Sequence, residues 1–466
     1  MQEAVLGLDA GTSSLKAGLF TLTGQLLGLA ESKYPLSSPE PGAIEQDPRD
    51  WWAALKSAVR EIVDQARPVE LLAIAISGQA PTAVSVDAQL RPTHAAVTWL
   101  DRRQARVAEG LYARLGQAVP AWGSWPAQVA WLVCERPDAM RRTRWLLGCP
   151  DYLAARLTGQ PALFIEWPAA ELEAAGVDPR LLPAVSPPAA VVGSVTASAA
   201  EATGLRPGTP VAAGFIDGVM GVLGSGARRQ GDACLNGGTS GTFSVLVAPG
   251  AGYPVLGMHI AGAATNTSGK ALDWFVERIL RQPLAYTPLL EQAASVPAGA
   301  AGLLFVPHLA GERAPVQDLR ARGAWVGLAL DHDWRHMLRS VLEGVALSFR
   351  SMAERLAAGG ADMGEVRCVG GQARSPLWNQ IKADVLGRSL LVPDVVEAAV
   401  VGAAIVAALA VGVYPSPEEA AAAMVRVARR FDPDPRAAAL YDRLYGEFTR
   451  LDRALREASS GSGELH

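Results

Sequence analysis

Val5-Leu6-Gly7-Leu8-Asp9-Ala10-Gly11-Thr12-Ser13-Ser14-Leu15-Lys16-Ala17-Gly18-Leu19-Phe20 reads as a strand, a Gly/Ser/Thr turn and a second strand, followed by a further turn at Thr23-Gly24. This is a β-hairpin at the edge of a domain. About half a chain downstream, Ala233-Cys234-Leu235-Asn236-Gly237-Gly238-Thr239-Ser240-Gly241-Thr242-Phe243-Ser244-Val245-Leu246 repeats the device. Two hairpins of the same chemistry suggest two related lobes facing one ligand. Backbone N–H groups and hydroxyls in such turns form a concave donor set for phosphate oxygens. Asp9 adds a carboxylate that can hold a Mg2+-bound water, and Lys16 adds a cation. One such hairpin reads more readily as a plain β-turn, and the recurrence brings the two readings level.

Outward from the first hairpin, Trp51 to Ala66 has apolar residues at helical spacing behind the start signal Asp47-Pro48, and Leu71 to Ser77 is a buried strand ending at Gly78. Asp217 lies where the apolar strand Val211 to Ile216 gives way to an apolar helix. Two readings stand there: an N-cap, or a general base kept ionised by the helix N-terminus and aimed into a cleft. Gly370-Gly371-Gln372-Ala373-Arg374-Ser375 forms a strand-to-helix turn whose double glycine lets a flat ring lie against the backbone, or else is a tight turn with no ligand. The Gly-rich run after Leu223 sets the lobe boundary near Arg228, giving an N-terminal lobe over 1–227 and a C-terminal lobe over 228–455. The Ser/Gly-rich residues 456–466 read as a disordered tail.

The chain has 466 residues, half of them apolar and 6% aromatic, and a formal charge of −4 from 42 Lys and Arg against 46 Asp and Glu. That length favours two or three domains, and that charge disfavours nucleic acid as a main partner. Cys134, Cys149, Cys234 and Cys368 follow no C-x-x-C spacing and come without a secretory signal, which fits a reduced cytoplasm. Ala398 to Val413 carries no charge but is too short and too rich in Ala and Gly to span a membrane, so it reads as a buried, closely packed helix. No P-loop and no G-x-G-x-x-G after a strand is present. His332 and His336 are four apart but lack a third ligand and read as surface residues.

In order along the chain, from about residue 4 to 450, these pieces resemble the FGGY family of carbohydrate kinases, in its xylulokinase-like branch. The hairpin Asp9, Gly11, Thr12, Ser13, Ser14, Lys16 is similar to the family's first phosphate loop, and Gly238-Thr239-Ser240-Gly241-Thr242 to its second. Glu45-Gln46-Asp47-Pro48 with Trp51-Trp52, Ser77-Gly78-Gln79, Trp99-Leu100-Asp101-Arg102-Arg103, Phe215-Ile216-Asp217, and His308-Leu309-Ala310-Gly311-Glu312-Arg313-Ala314-Pro315 resemble further family segments. So do Gly323 to Glu343, Gly370 to Gln380, and Glu397 to Ala404.

The resemblance implies a two-lobed actin-like α/β fold, of the type shared by sugar kinases, actin and heat-shock ATPases, with a mixed sheet flanked by helices in each lobe. Sugar would be bound mainly by the N-terminal lobe and Mg·ATP mainly by the C-terminal lobe. It implies Asp217 and Asp9 as catalytic residues, with Asp9 serving Mg2+ through water. ATP contacts fall to Thr12, Ser13, Ser14, Lys16, Gly238, Thr239, Gly269, Gly370, Gly371, Ala373, Ser375 and Asn379. Substrate contacts fall to Gln79, Ala80, Trp99, Asp101 and Asp217. The partner is a small-molecule sugar, with no nucleic acid and no membrane, and a homodimer is left open.

Three features depart from the family pattern. Gln79 is followed by Ala80-Pro81-Thr82 instead of Met-His-Gly, removing a polar sugar contact. Gln128 stands where a Lys is expected, and the segment between Gly159 and Glu171 is shortened. The last would widen the pocket mouth and favour a longer substrate. A pentulose such as xylulose or ribulose ranks first, a hexulose, deoxy-ketose or aldonate second, and glycerol third. The competing class is a non-catalytic sugar sensor or chaperone-like ATPase on the same fold.

Overall fold

The computed structural model describes residues 2–65, 69–120, 123–282, 286–313, 318 and 320–461. Ala66, Ala314 and Pro315, quoted above, lie outside them. The chain divides into two compact units, one of residues 1–224 and 398–425 and the other of 225–397 and 426–466.

The first unit is built on six strands: β1 (Gln2–Ala10), β2 (Ser14–Thr21), β3 (Leu26–Lys33), β4 (Val69–Gly78), β5 (Val191–Ser194) and β6 (Pro210–Ile216). They lie in the order β3-β2-β1-β4-β6-β5. The hairpin strands β1 and β2 pair antiparallel, with Asp9 opposite Lys16, while β1, β4 and β6 run parallel. Alternation along β1 puts Leu6, Leu8 and Ala10 into a core shared with the helix Pro48–Gln65 and the helix Cys149–Thr158. That first helix buries Trp51, Leu55, Ala58, Val59 and Ile62, the stripe its helical spacing predicts.

The opposite face of the sheet is covered by the helix Asp217–Gly224 and the helix Ala398–Ala410. Small side chains let these backbones nearly touch. A Cβ on Gly402 would lie 2.0 Å from the Met220 carbonyl oxygen, and one on Gly224 would lie 1.8 Å from that of Ala398.

The second unit contains β7 (Ala233–Gly237), β8 (Gly241–Leu246), β9 (Tyr253–Val255), β10 (Met258–Thr265), β11 (Val366–Val369), β12 (Leu390–Pro393) and β13 (Val427–Phe431), in the order β9-β10-β8-β7-β11-β12-β13. From β10 to β13 the pairings run antiparallel, antiparallel, parallel, parallel, antiparallel, the same series as from β3 to β5 in the first unit. The two units are therefore related in topology, as the recurring hairpins suggest. The core of the second unit gathers the helices Trp334–Ala358, Pro376–Leu386 and Pro435–Gly461 around this sheet.

Two boundaries differ from the sequence reading. The C-terminal lobe, drawn as 228–455, gives up 398–425 to the first unit, because the apolar helix Ala398–Ala410 packs on β1, β4 and β6. The tail drawn from 456 is helical through Gly461, because Leu451 and Leu455 pack on the second core and carry the helix onward. Among the described residues, no helix is long and apolar enough to cross a membrane.

Candidate active site

In the first unit the carboxyl ends of three parallel strands converge. Ala10 and Ile216 both stand level with Gly78, so Asp9, Gln79 and Asp217 leave one edge of the sheet together. Open α/β sheets place ligands at such an edge. Asp217 opens its helix, and its Oδ1 accepts the Gly218 N–H at 2.7 Å. Both readings of Asp217 thus describe the same side chain. Asp9 and Asp217 share a neighbourhood, because burial and then the charges of Cys149, Asp9 and Asp217 push the Tyr34 hydroxyl up. Asp9 Oδ1 is sealed from solvent without a hydrogen-bond partner. Burial raises the Asp9 pKa, and the neighbouring Ser77 hydroxyl and Lys16 pull it back. A buried carboxylate oxygen with no hydrogen-bond partner can accept from a metal-bound water, so Asp9 fits the Mg2+ role inferred for it.

The turn of the first hairpin is fixed from three sides. Tyr34 donates its hydroxyl to Gly11 O at 2.6 Å, Gln46 Nε2 donates to Thr12 O at 2.8 Å, and Trp99 Nε1 donates to Thr12 Oγ1 at 3.0 Å. Ser13 is exposed, and Ser14 donates to Glu31 at 2.6 Å. Gln79 is buried and donates through Nε2 to Gln46 Oε1 at 2.6 Å, leaving its own Oε1 without a partner. Ala80 follows at the rim of a small cavity. Asp101 lies differently from the sugar ligand that the resemblance implies. Its side chain is fully buried, and its oxygens accept from Ile44 N–H and from Arg103, which also pairs with Glu45 and Glu40. That carboxylate holds the Trp99–Arg103 turn, since a buried guanidinium needs the charge beside it.

The second unit repeats the construction at the ends of β7 and β11. Gly269 N donates to Gly238 O at 2.8 Å, and Ser268 N and Lys270 N both donate to Thr239 O at 3.1 Å, which leaves Thr239 exposed at the turn. Gly370 has φ +80°, and a Cβ there would lie 2.6 Å from Asn236 Oδ1, so only glycine brings β11 this close to the hairpin. Gly371 is exposed, and a Cβ there would meet nothing within 4 Å.

Two residues assigned to the nucleotide edge turn elsewhere. Asn379 is fully buried, donates to Ala373 O at 2.7 Å and faces the Cys368 thiol, while Ser375 caps the helix Pro376–Leu386 through Trp378 N–H. Ala373 is likewise buried, and its carbonyl accepts from Asn379 and Arg429.

Sequence reasoning gave no role to the amides that tie these loops. Gln46 joins Trp51, Gln79 and Thr12. Gln372 joins Ser268 at 2.6 Å and Gly238 at 3.3 Å. Both lie inside motifs quoted above, which was the available signal. Glu312, with no exposure, accepts from Thr265 Oγ1 at 2.7 Å and from Arg313 N–H, and lies 2.9 Å from His308 Nδ1. His308 Nε2 is 2.8 Å from Asp452, and these carboxylates raise the His308 pKa to about 9 against the opposing effect of burial. His332 and His336 are engaged locally, by Ala329 N–H and Asp333.

Comparison with known proteins agrees with this construction. Residues 4–224 match the N-terminal domain of the FGGY family of carbohydrate kinases, and residues 235–411 match its C-terminal domain. A xylulose kinase of Lactococcus lactis is 29% identical over 95% of both chains, and a gluconokinase of Bacillus licheniformis is 27% identical over 98% of this chain and 96% of its own. The crystal structure of xylulose kinase from Rhodospirillum rubrum superposes with a TM-score of 0.84 at 30% identity, covering 98% of this chain and all of that one. The fold is the actin-like one of sugar kinases, with a mixed sheet in each unit. The chain belongs to the FGGY family of carbohydrate kinases.

Proposed function

We propose that this ATP-dependent carbohydrate kinase transfers the γ-phosphate to a primary hydroxyl of a pentulose such as xylulose or ribulose, with Asp217 as the general base. The observation that carries the proposal is the placing of Asp9 and Asp217 at the carboxyl ends of the parallel strands flanking Gln79. A carboxylate at the N-terminus of a helix stays ionised and can accept a hydroxyl proton as the oxygen attacks. Phosphoryl transfer asks the protein mainly for positioning and charge stabilisation. Thr12, Ser13 and Lys16 offer donors for phosphate oxygens on the first hairpin, and Gly238 and Thr239 offer donors of the same kind on the second. Gly370 and Gly371 face the nucleoside, with Gly269 holding the second turn in place. Asp9 would hold Mg2+ through water, and the bound cation would supply charge neutralisation for the phosphates.

For the acceptor, Trp99 supplies an apolar face and Gln79 an amide oxygen, while Asp101 keeps the turn that presents Trp99. We place the reaction in the cytosol, where ATP and four cysteines outside any disulfide are both at home. Asp217→Asn should lower turnover by about 10²- to 10⁴-fold, with the fold and ATP affinity retained. The readout is sugar phosphate identified by mass, and turnover near that of wild type refutes the assignment.

A further inference from the structure

We infer that the cavity beside Gln79 takes one non-reacting hydroxyl of a neutral ketose or polyol and turns away a carboxylate, so that the chain discriminates against aldonates. This rests on the kinase reading above and decides between the two substrate types carried by its relatives' names.

Two of the three departures from the family pattern line this cavity, whose walls include Gln79, Ala80, Thr82, Trp125, Asp151 and Trp167, and the third, Gln128, braces its Pro81 wall. Gln128 donates its Nε2 to Pro81 O at 3.1 Å and Thr98 O at 3.2 Å. The shortened segment after Gly159 carries Trp167 onto Trp125, the rings stacking 5.7 Å apart at 8°. The short segment therefore walls the cavity, contrary to the widened mouth expected from its length. The free space amounts to about one water-sized group, roughly 10 Å³. A single hydroxyl fits there, whereas the two oxygens of a carboxylate do not.

The polarity of the walls is set by a chain of amides. Gln46 Nε2 donates to the Thr12 and Pro35 carbonyls, so its Oε1 must accept, and it does so from Trp51 Nε1 and Gln79 Nε2. Gln79 gives one N–H to Gln46 and turns the other to the Cys149 sulfur, so what it offers the cavity is Oε1, which is buried and unpartnered. In the same way two carbonyls fix Nε2 of Gln128 and leave its Oε1 unpartnered behind Pro81. Thr82 Oγ1, also buried and unpartnered, can donate or accept. The Asp151 carboxylate closes the set, accepting from Gly148 N–H and Phe164 N–H. No lysine or arginine is among the cavity's lining residues. Fixed acceptor oxygens without a cation reward a group that brings a proton and penalise one that brings negative charge.

The test measures kcat/KM and, by calorimetry with a non-hydrolysable ATP analogue, acceptor affinity for the pairs xylulose and xylonate, ribulose and ribonate, fructose and gluconate. The neutral member of at least one pair should be favoured by about a hundredfold or more. Thr82→Val, close to isosteric, should raise KM for that acceptor about tenfold with kcat within about threefold, and Gln79→Met should raise KM at least as much. An aldonate used as well as its neutral partner, or both variants within about twofold of wild type in KM, overturns the inference. An aldonate preference leaves the kinase reading standing, binding of a neutral acceptor without turnover refutes the reaction while supporting the pocket, and binding of neither class refutes both.

Discussion

Adding a single methyl group at Gly402 should damage both stability and catalysis. The backbone of the helix Ala398–Ala410 passes so close to the helix Asp217–Gly224 that a Cβ there would lie 2.0 Å from Met220 O. An ordinary contact needs about 3.4 Å, so Gly402→Ala must push the helices apart by more than an ångström. Overpacking of this kind costs roughly 1–3 kcal/mol. In a unit of about 250 residues, a cost near the upper end lowers Tm by about 6–12 °C. The displaced helix begins with Asp217, and a misplacement of about 1 Å at a reacting group can reduce kcat about a hundredfold. Calorimetry and an ATP-consumption assay would read the two effects. Gly446→Ala is the control: it sits on the helix Pro435–Gly461, where a Cβ meets nothing within 4 Å, and should stabilise by about 0.5–1 kcal/mol. A Gly402→Ala protein with the Tm and kcat of wild type would refute the close crossing.

Gly371→Val should raise KM for ATP several-fold while leaving Tm nearly unchanged, since the added Cβ meets no protein atom within 4 Å; an effect on the sugar alone would count against the nucleoside assignment. Asn379→Ala should do the reverse, lowering stability by about 1–3 kcal/mol through the loss of its buried hydrogen bonds with the Ala373 carbonyl and the Cys368 thiol while leaving the affinity for ATP intact, as equilibrium binding at low temperature would check. The folded-state pKa of His308 is raised to about 9, so its ion pairs with Glu312 and Asp452 contribute fully below about pH 6.5 and fade as the pH rises through 9. The stability difference between wild type and His308→Gln should therefore be largest near pH 6, at most about 3 kcal/mol, and a difference that grows toward pH 9 would show that the histidine is buried neutral.

The elements written locally in the chain were legible. A Gly/Ser/Thr turn between apolar strands makes its own hairpin, and an Asp at a strand-to-helix junction must lie at the edge of the sheet, so Asp9, Thr12, Asp217 and Thr239 fell where the pattern put them. Side-chain direction was not legible. Asn379 sits one helical turn from the Gly370 loop, but its amide is turned to the Ala373 carbonyl and the Cys368 thiol, and Asp101 is claimed by an arginine two residues on. The uncharged run from Ala398 announced a buried helix without saying which sheet it buries. That choice is made by Gly7, Gly224 and Gly402, three glycines far apart in sequence that acquire meaning only when their backbones meet.

That helix also sets an order of events during synthesis. Residues 1–224 contain every strand of the first sheet, but the segment that covers one of its faces leaves the ribosome about 170 residues after them. Until then Gly7, Gly18 and their neighbours present an open apolar surface, while the second unit likewise waits for β13 and the last helix. Neither unit corresponds to a contiguous stretch that could be expressed alone with its core complete. A fragment ending at Gly224 should aggregate or recruit a chaperone, and supplying residues 398–425 as a separate peptide should rescue it.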